Sequence, residues 1–111
     1  MSDTNLTKDA DRMLCEVYAT YMKRRAEGIS KRKAKEFLKE NETTNPDWYT
    51  PDGRESLAEL RRAGMIGQDV LGSFWLKDEA IIYMENRFKN GLSEVLEYIG
   101  KMISPISGLF F

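Results

Sequence analysis

The chemistry most accessible to this chain is the binding of a polyanion, because its basic side chains are concentrated in one short stretch. Residues 23–35, KRRAEGISKRKAK, contain seven basic residues and one acidic residue, although the formal charge of the whole chain is only −1. The distribution of charge, rather than its total, decides the attraction to DNA or RNA. The stretch therefore predicts a phosphate-binding surface, and the simpler alternative is a solvated face of a helix.

Catalytic and metal-binding chemistry find little support in the composition. The chain has no His to act as a general base, no G-x-S-x-G motif and no glycine loop for phosphate. Its single cysteine, Cys15, allows no intramolecular disulfide and, without His, no ordinary zinc site, and we predict a buried or half-buried side chain. We accordingly expect no enzyme, no metal and no cofactor.

The expected compartment is a reducing cytoplasm. The N-terminal residues MSDTNLTKDADR lack the basic and apolar regions of a secretory signal. No stretch reaches the roughly 18–20 apolar residues that a membrane span needs. We therefore predict no membrane span and no export.

The length of 111 residues favours a single domain, and apolar periodicity predicts its first two helices. A first helix is expected over residues 9–27, ended by Gly28, with its apolar positions three and four residues apart: Ala10, Met13, Leu14, Val17, Tyr18, Tyr21 and Met22. Ser30 is a candidate N-cap for a short second helix within KRKAKEFLKEN, and residues 40–50 read as a loop.

A third helix should run from Pro51 to Ala63, because Thr50 can cap it and Gly64 can stop it. The glycine-rich, β-branched and aromatic segment MIGQDVLGSFWL then predicts a β-hairpin, followed by a fourth helix from residues 77–79 to Phe88. The large aromatics are expected to cover or fill the core, with stacking on a nucleotide as the alternative for the first two: Trp48, Tyr49, Tyr18, Tyr21, Phe37, Phe74 and Trp75.

A fifth helix opened by Ser93 has an apolar stripe that predicts dimerisation through residues 91–111. The stripe consists of Leu92, Val95, Leu96, Ile99, Met102, Ile103 and Ile106. Two alternatives remain open for this helix and the apolar tail after it. They could pack on the chain's own core, or lie on a membrane or a partner.

The order of helix, short helix, helix and hairpin resembles a winged helix-turn-helix domain over residues 9–88. The motif that carries this resemblance lies at the end of the third helix and consists of Leu57, Leu60, Gly64 and Ile66. The chain is similar to small winged-helix proteins of Gram-positive bacteria and their prophages, of the YjcQ type, and more distantly to PadR- and MarR-like repressors. The resemblance implies a mainly α protein with a small β-hairpin, divided into a flexible N-terminus (1–8), a winged-helix domain (9–90) and a C-terminal helix (91–111).

In such a domain the third helix enters the major groove and the second crosses the phosphate backbone. The resemblance therefore implies that Arg54 contacts guanine, with Ser56 exposed beside it, while Arg61 and Arg62 lie too near the far end to read bases. The phosphate contacts would come from Lys23, Arg24, Arg25, Lys31, Arg32, Lys33 and Lys35.

The implied function is that of a homodimeric bacterial or phage regulator that binds double-stranded DNA. Two features depart from the family pattern. The wing contains Asp69 and no Lys or Arg. The third helix carries Asp52, Glu55 and Glu59, which repel phosphate wherever they do not pair with Arg54, Arg61 or Arg62. The alternative is a winged-helix scaffold that binds another protein and has no enzymatic role.

Overall fold

The computed structural model describes residues 5–39 and 45–108, with side chains as far as residue 102. It is mainly helical with a small three-stranded antiparallel sheet, which confirms the predicted class of mainly α with little β. The elements are α1 (Lys8–Ala26), α2 (Lys31–Ala34), β1 (Glu36–Phe37), a 3-10 helix (Pro46–Tyr49), α3 (Pro51–Arg62), β2 (Ile66–Gln68), β3 (Phe74–Leu76), α4 (Asp78–Arg87) and α5 (Leu92–Gly108).

The helix starts follow local capping, which is why the sequence predicted them closely. Thr50 Oγ1 accepts a hydrogen bond of 3.1 Å from the Gly53 amide at the start of α3. Ser30 Oγ accepts one of 3.3 Å from the Lys33 amide at the start of α2. Thr7 caps α1 in the same way, so this helix begins at Lys8, one residue earlier than expected. Each cap satisfies an amide that has no partner within its helix.

The predicted length of the second helix is wrong, because α2 ends at Ala34 and the next residues form a strand. Glu36 pairs with Trp75 and Phe37 with Phe74, which gives the strand order β1-β3-β2. The Phe37 and Phe74 rings stack with their centroids 4.9 Å apart. Pairing with a distant strand therefore overrides the local helical pattern of KRKAKEFLKEN.

The predicted hairpin is present as β2 and β3, but the prediction of a core position for Trp75 is wrong. Phe74 and Leu76 are buried, whereas 43% of Trp75 is exposed. Side chains alternate between the two faces of a strand, so Trp75 must lie on the outer face. Its ring covers Gly67 of β2, where a Cβ would meet ring atoms at 2.2–2.5 Å.

The core surrounds α1, which packs against α2, α3 and α5. The other aromatic predictions are confirmed. Trp48 is 3% exposed, and its indole Nε1 donates to Glu16 Oε1 at 3.0 Å. Tyr49 is half-buried and donates its hydroxyl to the Gly72 carbonyl at 2.7 Å. Cys15 is fully buried, as expected, and burial raises the pKa of its thiol to about 12.

The apolar stripe of α5 is largely used within the chain, which corrects part of the predicted dimer interface. Val95 is fully buried, and Leu92 and Ile99 pack half-buried on the core. Leu96 is 42% exposed and Met102 is half-buried. Ile103 and Ile106 lie outside the described side chains. None of the helices in the described part of the chain has the length and apolarity to cross a membrane.

Candidate nucleic-acid interface

Arg24 does not belong to a phosphate-binding surface, which corrects one of the predicted contacts. Its side chain is only 9% exposed, and its guanidinium donates to the carbonyls of Ala34 at 3.2 Å and Glu36 at 2.6 Å. It also lies 4.4 Å from the centroid of the Phe37 ring. Burial lowers the pKa of Arg24. This residue therefore joins α1 to the corner between α2 and β1.

Five of the predicted phosphate contacts are exposed, and we call them the basic junction: Lys23, Arg25, Lys31, Arg32 and Lys33. They meet because α1 ends at a turn in which Gly28 has a positive φ of 91°, and α2 starts three residues later. Lys35 stands apart, because its Nζ forms an ion pair of 3.0 Å with Asp78 at the start of α4. The junction therefore places five exposed cations at the adjoining ends of α1 and α2.

The basic junction lies at the end of the sheet opposite the β2–β3 turn. The Lys35 carbonyl accepts the Leu76 amide at 2.8 Å, at the end of β3 that leads into α4. From there β1 runs toward the turn, where the Lys39 amide donates to Ser73 Oγ at 3.1 Å. The four residue steps from Leu76 to Gly72 span about 13 Å of extended chain. The junction and the hairpin turn are therefore separate surfaces.

The predicted site residues of α3 have different positions. Arg54 is exposed, and its Nε donates to the Tyr49 carbonyl at 3.1 Å, which holds the side chain at the start of the helix. Ser56 is only 7% exposed and faces the interior side of α3. The prediction of Ser56 as an exposed DNA contact is therefore wrong. Its position two residues after Arg54 places it on the other side of the helix.

Arg61 and Arg62 share the exposed face of α3 with Arg54, and we call these three residues the arginine face. Residues seven and eight positions apart lie on one side of a helix, a spacing that was visible in the sequence. Arg61 is positioned by a hydrogen bond of 2.9 Å from its Nη1 to Gln68 Oε1 on β2. The face therefore extends along α3 to the hairpin.

Glu59, which was expected to repel phosphate, is turned away from the arginine face. Its carboxylate accepts two hydrogen bonds from Thr7, at 2.7 Å from the amide and at 2.8 Å from the hydroxyl. Asp52 lies on the side of α3 that faces α1, where it lines a cleft with Asp9. Asp52 and Glu55 are both exposed, and Glu55 is the one next to Arg54 in the sequence. The exposed side of α3 is therefore more basic than its composition indicated.

The hairpin turn is apolar and well ordered by hydrogen bonds. Asp69 Oδ1 accepts from the amides of Leu71 at 2.9 Å and Ser73 at 3.1 Å. Val70 is 100% exposed and Leu71 is 75% exposed. The basic side chain that approaches the turn is Lys39, whose Cδ is 3.2 Å from the position of a Cβ on Gly72.

Among the described residues, no three His, Cys, Asp or Glu side chains are grouped as a metal ion would require. Comparisons with protein-family models, curated proteins and solved structures find no match to this chain.

Proposed function

We propose that this chain is a winged helix-turn-helix protein that binds double-stranded DNA, in the role of a bacterial or phage transcriptional regulator. The arginine face of α3 carries the proposal. Its three guanidiniums are exposed along one side of the helix that directly precedes the hairpin. Arginine offers the bidentate donors that suit both guanine and phosphate.

The order of elements supports the winged-helix assignment. α3 is followed at once by β2 and β3, and β1 completes the sheet on the far side of β3. In this interpretation α3 is the recognition helix and the β2–β3 hairpin is the wing. The 3-10 helix, which packs on α3, would then take the position predicted for the short second helix.

The basic junction and the arginine face make different contributions in this proposal. Arg54, at the start of α3, is placed to reach base edges, and a good bidentate contact contributes about 1–3 kcal/mol of discrimination. The five cations of the junction would add phosphate contacts, which strengthen binding without reading sequence. Because the junction is formed by the adjoining ends of α1 and α2 and the arginine face by α3, their contributions can be separated by mutation.

A salt titration of binding to a fluorescent duplex tests the proposal. Arg54→Ala with Arg61→Ala should weaken binding about tenfold or more, and Lys31→Ala with Arg32→Ala should mainly reduce the salt dependence. The control, Lys89→Ala with Lys101→Ala, removes the same charge from exposed positions outside both surfaces. Absence of duplex binding at low salt, or equal losses in all three double variants, would contradict the proposal.

Dimerisation through α5 remains part of the proposal, because Leu96 is well exposed on this helix. Leu96 is 42% exposed beside Ser93 and Glu97, while its neighbour Val95 is buried. A dimer would place two arginine faces on one duplex. Leu96→Glu should then lower the mass measured by sedimentation equilibrium. The control, Ile82→Glu at an exposed position of α4, should leave that mass unchanged.

A second candidate function is the binding of another protein through the outer face of the sheet. Trp75 and Leu38 are exposed on this face by 43% and 54%, and the apolar turn residues lie at its end. Exposed apolar groups of this kind are typical of interaction surfaces. If this is the function, the wild type should not bind duplex DNA. The double variant Val70→Ser with Leu71→Ser should then lose binding to a purified protein partner that the wild type binds.

A further inference from the structure

A cleft separate from both basic surfaces lies between α1, the 3-10 helix and the first half of α3. Its volume is about 310 Å³. Four carboxylates line it, those of Asp9, Glu16, Asp47 and Asp52. Arg12 is the one cationic side chain in its lining, and it lies 3.8 Å from Glu16. The cleft therefore has a formal charge of −3, four carboxylates against one guanidinium.

Three of these carboxylates are available to a ligand. The side chains of Asp9, Asp47 and Asp52 make no hydrogen bond or ion pair with any residue in the described ranges 5–39 and 45–108. The fourth, Glu16, accepts the indole N–H of Trp48. The N-termini of α1 and α3 offset about half a charge each, so the cleft stays negative.

Ser56 is a second and independent indication of a ligand. Ser56 is only 7% exposed and lines the cleft. Its hydroxyl makes no hydrogen bond within the described part of the chain. Its oxygen is not fully enclosed, so a donor in the cleft can reach it.

The walls of the cleft also include apolar surface. Met13 and Trp48 contribute to its lining and are themselves almost fully buried. Gly53 forms part of the wall against the 3-10 helix, where a Cβ would lie 2.3 Å from the Asp47 carbonyl oxygen. The cleft thus combines separated negative groups, one unpaired hydroxyl and two apolar side chains.

We propose that this cleft binds a polyamine. Alkylammonium groups carry positive charge and several N–H donors, so they can pair with the carboxylates and donate to Ser56 Oγ. The methylene segments between the ammonium groups can lie against the small exposed parts of Met13 and Trp48 in the lining. A single cation of lysine type satisfies fewer of the separated carboxylates than a polyamine does.

Calorimetric titration with spermidine, together with the NMR signal of the Trp48 indole N–H, tests this site. We expect saturable binding and a shift of that signal, because the indole hydrogen-bonds to Glu16 in the cleft. Asp52→Asn should weaken spermidine about fivefold to tenfold, and Ser56→Ala should weaken it severalfold. Glu55→Gln, a neutralised carboxylate on the exposed face of α3, is the matched control and should have no effect.

Two further ligands distinguish the chemistry. N-acetyllysine amide and Mg²⁺ at equal charge concentration should bind more weakly than spermidine and shift the indole signal less. The proposal is overturned by absence of saturable spermidine binding, by equal responses to all three ligands, or by an equal loss in the Glu55→Gln control. Thermal unfolding checks each variant, and Asp9→Asn replaces Asp52→Asn if the latter does not fold.

Discussion

Arg87 on α4 donates two hydrogen bonds to Asp11 on α1, at 2.6 Å and 2.9 Å. Tyr98 on α5 donates its hydroxyl to the same carboxylate at 3.0 Å. Burial by itself would raise the pKa of Asp11, but the hydrogen bonds and charge of Arg87, with the Tyr98 hydroxyl, hold that pKa below its usual value. One carboxylate therefore ties three helices together through residues 76 and 87 positions away.

Removing the guanidinium of Arg87 should destabilise the fold. Arg87→Met leaves the Asp11 carboxylate half-buried with no cation, and we expect a loss of about 2–4 kcal/mol in the free energy of unfolding. Urea denaturation followed by circular dichroism measures it. Glu85→Gln, at an exposed position on the same helix, is the control and should change stability by less than about 0.5 kcal/mol. Equal effects of the two substitutions would contradict the role of the pair.

The same pair should make stability depend on acid pH. Because the folded pKa of Asp11 is depressed, its contribution is present above the unfolded pKa of about 3.9 and is lost as the pH falls through the folded value. The difference in unfolding free energy between the wild type and Asp11→Asn should therefore shrink below about pH 4. A difference that stays constant from pH 7 to pH 2 would contradict this prediction.

Neighbouring arginines in the basic stretch should behave in opposite ways. Arg24→Met removes the donor to the carbonyls of Ala34 and Glu36 and should cost about 1–3 kcal/mol of stability. Arg25→Met, at an exposed position, should leave stability nearly unchanged and reduce the salt dependence of duplex binding. Denaturation and binding measured on both variants check this separation.

Two glycine substitutions should have effects of opposite sign. Gly53→Ala would place a Cβ 2.3 Å from the Asp47 carbonyl oxygen and 2.5 Å from the Trp48 backbone, neither of which can move freely. We expect it to destabilise by about 1–3 kcal/mol. Gly100→Ala, in open space on α5, should stabilise by about 0.5–1 kcal/mol. Thermal melts of the two variants measure both effects.

Cys15 should react with thiol reagents only when the protein opens. The thiol is fully buried and its pKa is raised to about 12 by burial, so the native protein holds almost no reactive thiolate at pH 8. Labelling by a chromogenic disulfide should be slow in buffer and fast in denaturant. Rapid labelling of the native protein would show that the helices around Cys15 open easily.

Features decided within a few residues were predictable from the sequence. Thr50, Pro51 and Gly64 delimited the third helix because capping and φ preferences act locally. The hairpin followed from glycines and β-branched residues in one segment. The β1 strand was not predictable, because Phe37 becomes extended only by pairing with Phe74, 37 positions away.

The candidate sites divide in the same way. By itself the sequence determined that the cations are concentrated between residues 23 and 35 and that α3 carries arginines at helical spacing. Only the tertiary structure decided that Arg24 and Ser56 turn inward and that Glu59 accepts hydrogen bonds from Thr7, the N-cap of α1. The physical reason is that the sequence shows which side chains are polar but not what they pair with. Their partners are atoms distant in the sequence, which come within reach only when the helices and strands pack together.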